Sequence, residues 1–197
     1  MTIDISLDKS LVQSLHQITN ELTIASDDRT RLGVGCLQIS ATHHQSIVLL
    51  IEHNCHASAF ALLRPLFESF IRGVWIIRKA SEEELQRYKS DCSFGLDNLF
   101  KAVITLDKYD ESSFKNINPS MINTMHSLTH AGFSANVRHQ TESGIESNYT
   151  CEELRNLLDF SNVIAKIASC EILDAARDIG HHRIVALEKA IGETSSS

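Results

Sequence analysis

Apolar residues return every three or four positions along most of the chain, and no segment alternates with the two-residue period of a half-buried strand. Leu7, Leu11, Leu15, Ile18 and Leu22 define a first amphipathic helix over about 5–25. Ser26-Asp27-Asp28 supplies a cap and acidic first-turn residues for a second helix over about 28–53, with Asn54 as the break. A third helix follows over about 57–79, and Ser81-Glu82-Glu83-Glu84 opens a short one reaching about Ser90. Residues 96–106 are moderately helical, and a polar stretch then runs from Asp107 to Asn118. Pro119 suits the first position of a helix ending near His130, and residues 131–149, rich in Gly, Ser, Asn and Thr, read as loop. Thr150-x-x-Glu153 is a capping box for a long helix to about Asp178, which Gly180 ends. A short helix over His182–Ile191 precedes a serine tail. The pattern predicts an all-α fold, a single bundle of about six to eight helices with long antiparallel central helices. One domain spans 1–192, followed by a disordered Ser-rich tail over 193–197.

Composition supports long elements, because only 2 prolines and 8 glycines interrupt 197 residues. The formal charge of −7 argues against general DNA binding, which relies on a basic surface, but it leaves room for a small basic pocket. Five scattered cysteines without a CxxC spacing read as reduced thiols. The chain opens without a basic segment followed by an apolar core, and its longest apolar runs, Ile47–Ile51 and Val74–Ile77, are far too short to cross a bilayer. These features predict a cytoplasmic protein with no membrane partner.

Candidate chemistry concentrates on the third helix. On a wheel of 100° per residue, Arg64, Glu68 and Arg72 fall within an arc of about 80°. The rest of that helix is apolar almost all round (Leu66, Phe67, Phe70, Ile71, Val74, Trp75), which places it in the middle of the bundle and its stripe at least partly inside. Two arginines against one carboxylate leave a surplus positive charge. Either an acid on a neighbouring helix neutralises it, or an anion such as a phosphate or carboxylate does. Pro65 frees the carbonyl of Ala61 and either bends the helix or starts a new one.

Of the ten histidines, His126 and His130 share a helical face at metal-pair spacing. A metalloprotease would carry Glu where Ser127 stands, and no third ligand is evident, so no metal or cofactor is assigned. His53-x-x-His56 is a weaker pair, and the adjacent pairs His43-His44 and His181-His182 point in different directions. His130 stands before Ala131-Gly132 and a polar loop, where imidazole suits general acid–base work. A histidine near an arginine pair is the minimum for metal-independent RNA cleavage, with His130 taking the 2′-hydroxyl proton and Arg64 or Arg72 stabilising charge at phosphorus.

Leu62-Leu-Arg-Pro-Leu-Phe-Glu-Ser69 followed by Arg72-Gly-x-Trp75, then Thr129-His-Ala-Gly132, then Asn148-Tyr-Thr-x-Glu-Glu153, resemble an uncharacterised bacterial family of small helical proteins. That family carries an LLRPLFE…RG-W helix, a THGG-like motif and an NY[ST]-x-EE helix start; this chain has Ala131 in place of the first glycine. The resemblance spans roughly 30–175 and implies an all-helical fold, with Arg64, Glu68, Arg72 and His130 as site candidates. More distantly, the family is similar to the HEPN superfamily, many of whose members are ribonucleases in toxin–antitoxin or antiviral systems. Their hallmark is Arg, four to six residues, then His, which Arg177-Asp-Ile-Gly-His-His182 matches at a frequency chance alone would supply.

Two functions follow as expectations, with a metal site at His126 and His130 as a third. The first is a defence- or stress-associated helical protein recognising phosphate, a nucleotide or RNA, with metal-independent ribonuclease the leading activity if it is an enzyme. The second is a non-catalytic binding or scaffold module, homodimeric through helices two and three, because helix three has more apolar circumference than one small bundle easily covers.

Overall fold

The computed structural model describes residues 3–92, 94–109, 114, 119–142, 144–176 and 181–192, and these form an all-α bundle. Its helices are α1 (Ser6–Thr19), α2 (Asp28–Glu52), α3 (His56–Ala61), α4 (Leu63–Arg78), α5 (Glu82–Lys89), α6 (Leu96–Val103), α7 (Pro119–Thr129), α8 (Phe133–Asn136), α9 (Cys151–Ala175) and α10 (His181–Gly192). Short 3₁₀ turns cover Asp107–Tyr109 and Val137–His139. Gly180 and most of the Arg177–His182 segment lie outside the described residues, as does the serine tail.

The helix starts form where the sequence places them. Asp27 accepts a bond from Thr30 N at 2.9 Å, and Ser81/Glu84 and Thr150/Glu153 both close reciprocal capping boxes. The helix ends are less obvious, because four of them use a left-handed residue that is not glycine: Glu21, Asn54, Asp91 and Ala131. Helix α1 therefore stops at Thr19 rather than near 25. Leu22 lies beyond that end but still packs against the core, so its apolar character extends the periodicity past the helix.

Helices α2 and α4 form the centre. Gly33 faces Ile77, Leu37 faces Gly73, and Ser40 Oγ donates to Leu66 O at 3.0 Å, so the numbering runs in opposite directions and the pair is antiparallel. A Cβ on Gly73 would stand 2.9 Å from Gly33 O and 2.8 Å from Leu37, so both glycines are needed for this close crossing. Phe67–Phe160 and Arg78–Glu171 each join α4 to α9 across the same sequence separation, which makes that pair parallel. A smaller cluster of Leu11, Leu15 and Ile18 seats α1 on Ala165 and Leu173 of α9 and on Ala190 of α10.

The third predicted helix is two helices, broken at Leu62. Pro65 falls in the first turn of α4, where its missing N–H is one that no carbonyl of the helix would have received. The apolar circumference of α4 is covered within one chain: Leu66, Phe67, Phe70, Ile71, Val74 and Ile76 are fully buried. The physical reason for expecting a homodimer through this helix is therefore absent, since α2, α6, α7 and α9 already surround it.

Two polar networks lock the outer elements. Glu171, with 0% exposure, receives Arg78 Nε at 3.0 Å, Lys108 Nζ at 2.8 Å and Tyr109 Oη at 2.5 Å, and Asp174 pairs with both cations. Burial and the Glu171 bond push the Tyr109 hydroxyl far above its ordinary range. On the far side, buried Asp8 accepts from Asn162 Nδ2 at 2.7 Å and from Arg155, while His44 Nε2 lies 2.8 Å from Asn162 Oδ1. Because the Asn162 oxygen accepts, His44 carries its proton on Nε2, and burial pushes the His44 pKa down. His44 is thus a satisfied core histidine.

Candidate functional site

Arg64, Glu68 and Arg72 sit one turn apart on α4, and the structure brings them together. Arg72 Nη2 donates to Glu68 Oε1 at 2.6 Å, and Arg64 Nε lies 3.7 Å from Glu68 Oε2. Their side chains are 22%, 32% and 17% exposed in chain order, so the stripe is partly buried and still reachable by water. Among the described residues no second carboxylate pairs with either arginine. The face of Tyr88, from α5, covers Arg72 instead, with the guanidinium carbon 5.8 Å from the ring centre. Tyr88 Oη meets the Cys36 sulfur at 3.5 Å. Burial, then that contact, pushes the Tyr88 hydroxyl up to about 12, and burial raises the Cys36 thiol as well. An aromatic ring stabilises a cation without neutralising it, so the surplus positive charge persists.

His130 is exposed just past the end of α7, its ring 4.4 Å from that of His126, and among the described residues no hydrogen bond links it to the stripe. Nor does any group of three or more His, Cys, Asp or Glu capable of holding a metal occur among the described residues.

The Thr129-His-Ala-Gly132 segment has a clear local role. Ala131 takes φ 51°, and Gly132 N donates back to Ser127 O at 2.8 Å, the pattern of a helix closed by a left-handed residue. A side chain at Gly132 would crowd Ser127, whose Oγ accepts from Ser134 N at 3.0 Å and so caps the start of α8. Ser127 is therefore a capping residue. Thr129 Oγ1 reaches 3.0 Å to Ala61 O, the carbonyl that Pro65 leaves free, while also lying 2.9 Å from Met125 O. One hydroxyl thus ties the end of α7 to the break between α3 and α4.

Residues of the first and third motifs also line a cleft. A cavity of about 550 Å³ opens between α4, α7, α8 and α9; Leu63 belongs to its wall, as do Asn148 and Glu153. Tyr149 stacks on Phe60 at 4.9 Å behind it. Arg138, from the 3₁₀ turn, pairs with Glu153 and holds Asn148 N through its own carbonyl at 2.8 Å. Sequence reasoning reads this segment as loop and misses Phe133, Arg138 and Asn148. The available signal was the capping box itself, since Glu153 already fixes the position of a carboxylate that an arginine could meet.

No curated protein and no solved structure matches the chain. Residues 37–181 match a family of unknown function, DUF6988, and that stretch contains α3 to α9, the stripe and the cleft. With most of its length matched and every element of both candidate sites inside the matched region, the chain belongs to the DUF6988 family.

Proposed function

We propose that this protein recognises an anionic ligand of the phosphate class through Arg64, Glu68 and Arg72. The observation that carries the reading is the sharing of one carboxylate by two guanidiniums, with an aromatic face, not a second acid, against Arg72. A phosphate oxygen pair would receive the unused N–H groups of both arginines in the bidentate manner that guanidinium favours. Glu68 stands between the two guanidiniums, one turn of helix from each, so the forks lie about two turns apart on one face. RNA is the phosphate source that the HEPN likeness adds, and cleavage would further require His130 to reach the bound strand.

Titration calorimetry with inorganic phosphate and with a short single-stranded RNA tests the reading. Both should bind the wild type, and Arg64→Ala or Arg72→Ala should weaken either by about tenfold or more while the helical circular dichroism is retained. Wild-type protein that ignores both at millimolar concentration ends the proposal. Loss of RNA integrity with wild type but not with His130→Ala would extend it to ribonuclease activity.

A scaffold acting as a homodimer is the second reading, and it rests on Ile39 and Leu49, which α2 leaves half exposed. Light scattering that shows only monomer at micromolar concentration removes it.

A further inference from the structure

The cleft between α4, α7, α8 and α9 has the build of a second binding site, independent of the stripe. Its volume of about 550 Å³ lies within the range of small-molecule pockets. Leu63, Met125, Leu157 and Phe160 form an apolar floor and walls. Phe133, on the cleft-lining α8, is 81% exposed, an unusual position for a large ring unless something covers it. Polar groups gather at one end, around Arg138, Asn148 and Glu153.

The charge arrangement at that end selects the ligand. Glu153 spends Oε2 on Thr150 N and Oγ1 at the start of α9, and Oε1 on Arg138 Nη1. Among the described residues the Nε and Nη2 groups of Arg138 donate to nothing, so one edge of its guanidinium is left for an acceptor. The Arg138–Glu153 pair is formally neutral, so what it offers an acceptor is the directional N–H pair of the free guanidinium edge. An Arg edge above an apolar pocket fits a carboxylate on an apolar body. We infer that the cleft binds a small monocarboxylate with an aliphatic or aromatic body, its head on Arg138 and its body against Leu63, Met125 and Phe133.

Methionine offers a direct probe, because the chain has 3 methionines and two of them, Met121 and Met125, line the cleft. Carbon-13 methyl spectra of the full chain are followed during titration with decanoate, 2-naphthoate, decanol and inorganic phosphate. Decanoate or 2-naphthoate should shift the Met121 and Met125 signals saturably, and whichever binds tighter tells an aliphatic from an aromatic ligand. Decanol should bind about tenfold more weakly or worse, and phosphate should leave both methyls unmoved. Arg138→Gln should weaken carboxylate binding by about tenfold while decanol binding stays the same. Methyl signals that ignore both carboxylates overturn the inference, as does equal affinity of decanol and decanoate or an unchanged affinity in Arg138→Gln. Should Arg138→Gln unfold, the decanol comparison on the wild type decides alone. Failure of the anion reading at the stripe would show in the phosphate calorimetry and leave these methyl shifts untouched.

Discussion

Helix α4 carries two charged clusters, Arg64–Glu68–Arg72 along its length and Arg78 at its C-terminal end, and they are built on opposite plans. Around Arg78, two cations (Arg78, Lys108) meet two anions (Glu171, Asp174), with the Tyr109 hydroxyl filling the last position on a fully buried carboxylate. The partners come from α4, a 3₁₀ turn and α9, so the cluster exists only when all three are docked. In the stripe the partners are one turn apart on a single helix, the charges do not balance, and the groups stay partly exposed. The balanced cluster closes on itself and has nothing to offer a ligand; its work is to hold α4 against α9. The unbalanced one is built within a single helix and leaves two guanidiniums sharing one carboxylate.

Substitution in the balanced cluster should cost most. Glu171→Ala removes the acceptor of the buried Tyr109 hydroxyl and of two partly exposed cations that keep Asp174, and we expect a loss of about 3 kcal/mol in urea unfolding. A loss below that of an ordinary surface substitution would break the contrast. Tyr109→Phe keeps the ring and deletes one charge-assisted bond, so about 1.5–3 kcal/mol should go by the same measurement. In the stripe, Glu68→Ala should cost less than about 1 kcal/mol, the scale of partly exposed pairs on one helix. That variant should also strengthen phosphate binding by about 1 kcal/mol, or roughly fivefold, because the second cation loses its counter-charge. Weaker binding would mean that the carboxylate's positioning of the arginines outweighs its charge.

The smallest effect is spectroscopic. All 3 tyrosines, Tyr88 beside the stripe, Tyr109 in the clamp and Tyr149 beside the cleft, have hydroxyls that burial pushes upward. Unfolded tyrosine ionises near pH 10. Because the folded values are higher, the stabilisation is complete below about pH 10 and fades as pH rises through the folded values. For Tyr88 that window runs from about 10 to about 12. Tyrosinate absorbance should therefore stay low in the folded protein at a pH where the urea-unfolded chain is half ionised, and Tyr88 should ionise before Tyr109. A folded titration that overlays the unfolded one would contradict both environments.

Much of this architecture was present in local pattern. Three- and four-residue apolar spacing identified the helices, and Asp27, Ser81/Glu84 and Thr150/Glu153 marked their starts, because capping is satisfied within one turn of chain. The stripe was equally legible, since residues four apart on a helix are neighbours whatever else the chain does. Pro65 announced a free carbonyl at Ala61. Nothing local could say that Thr129, 68 residues away, would supply the proton.

What only the tertiary structure decided has the same cause throughout. Glu171 and Asp8 became buried anions because distant cations and amides were brought to them, and helix α4 lost its need for a second chain because four helices of this one cover it. The tie between Thr129 and the Ala61 carbonyl exists only because α7 docks on the break between α3 and α4, a contact that spacing does not encode. The cleft around Arg138 exists only between helices, so its shape and its unused guanidinium edge belong to the packing and not to any stretch of sequence.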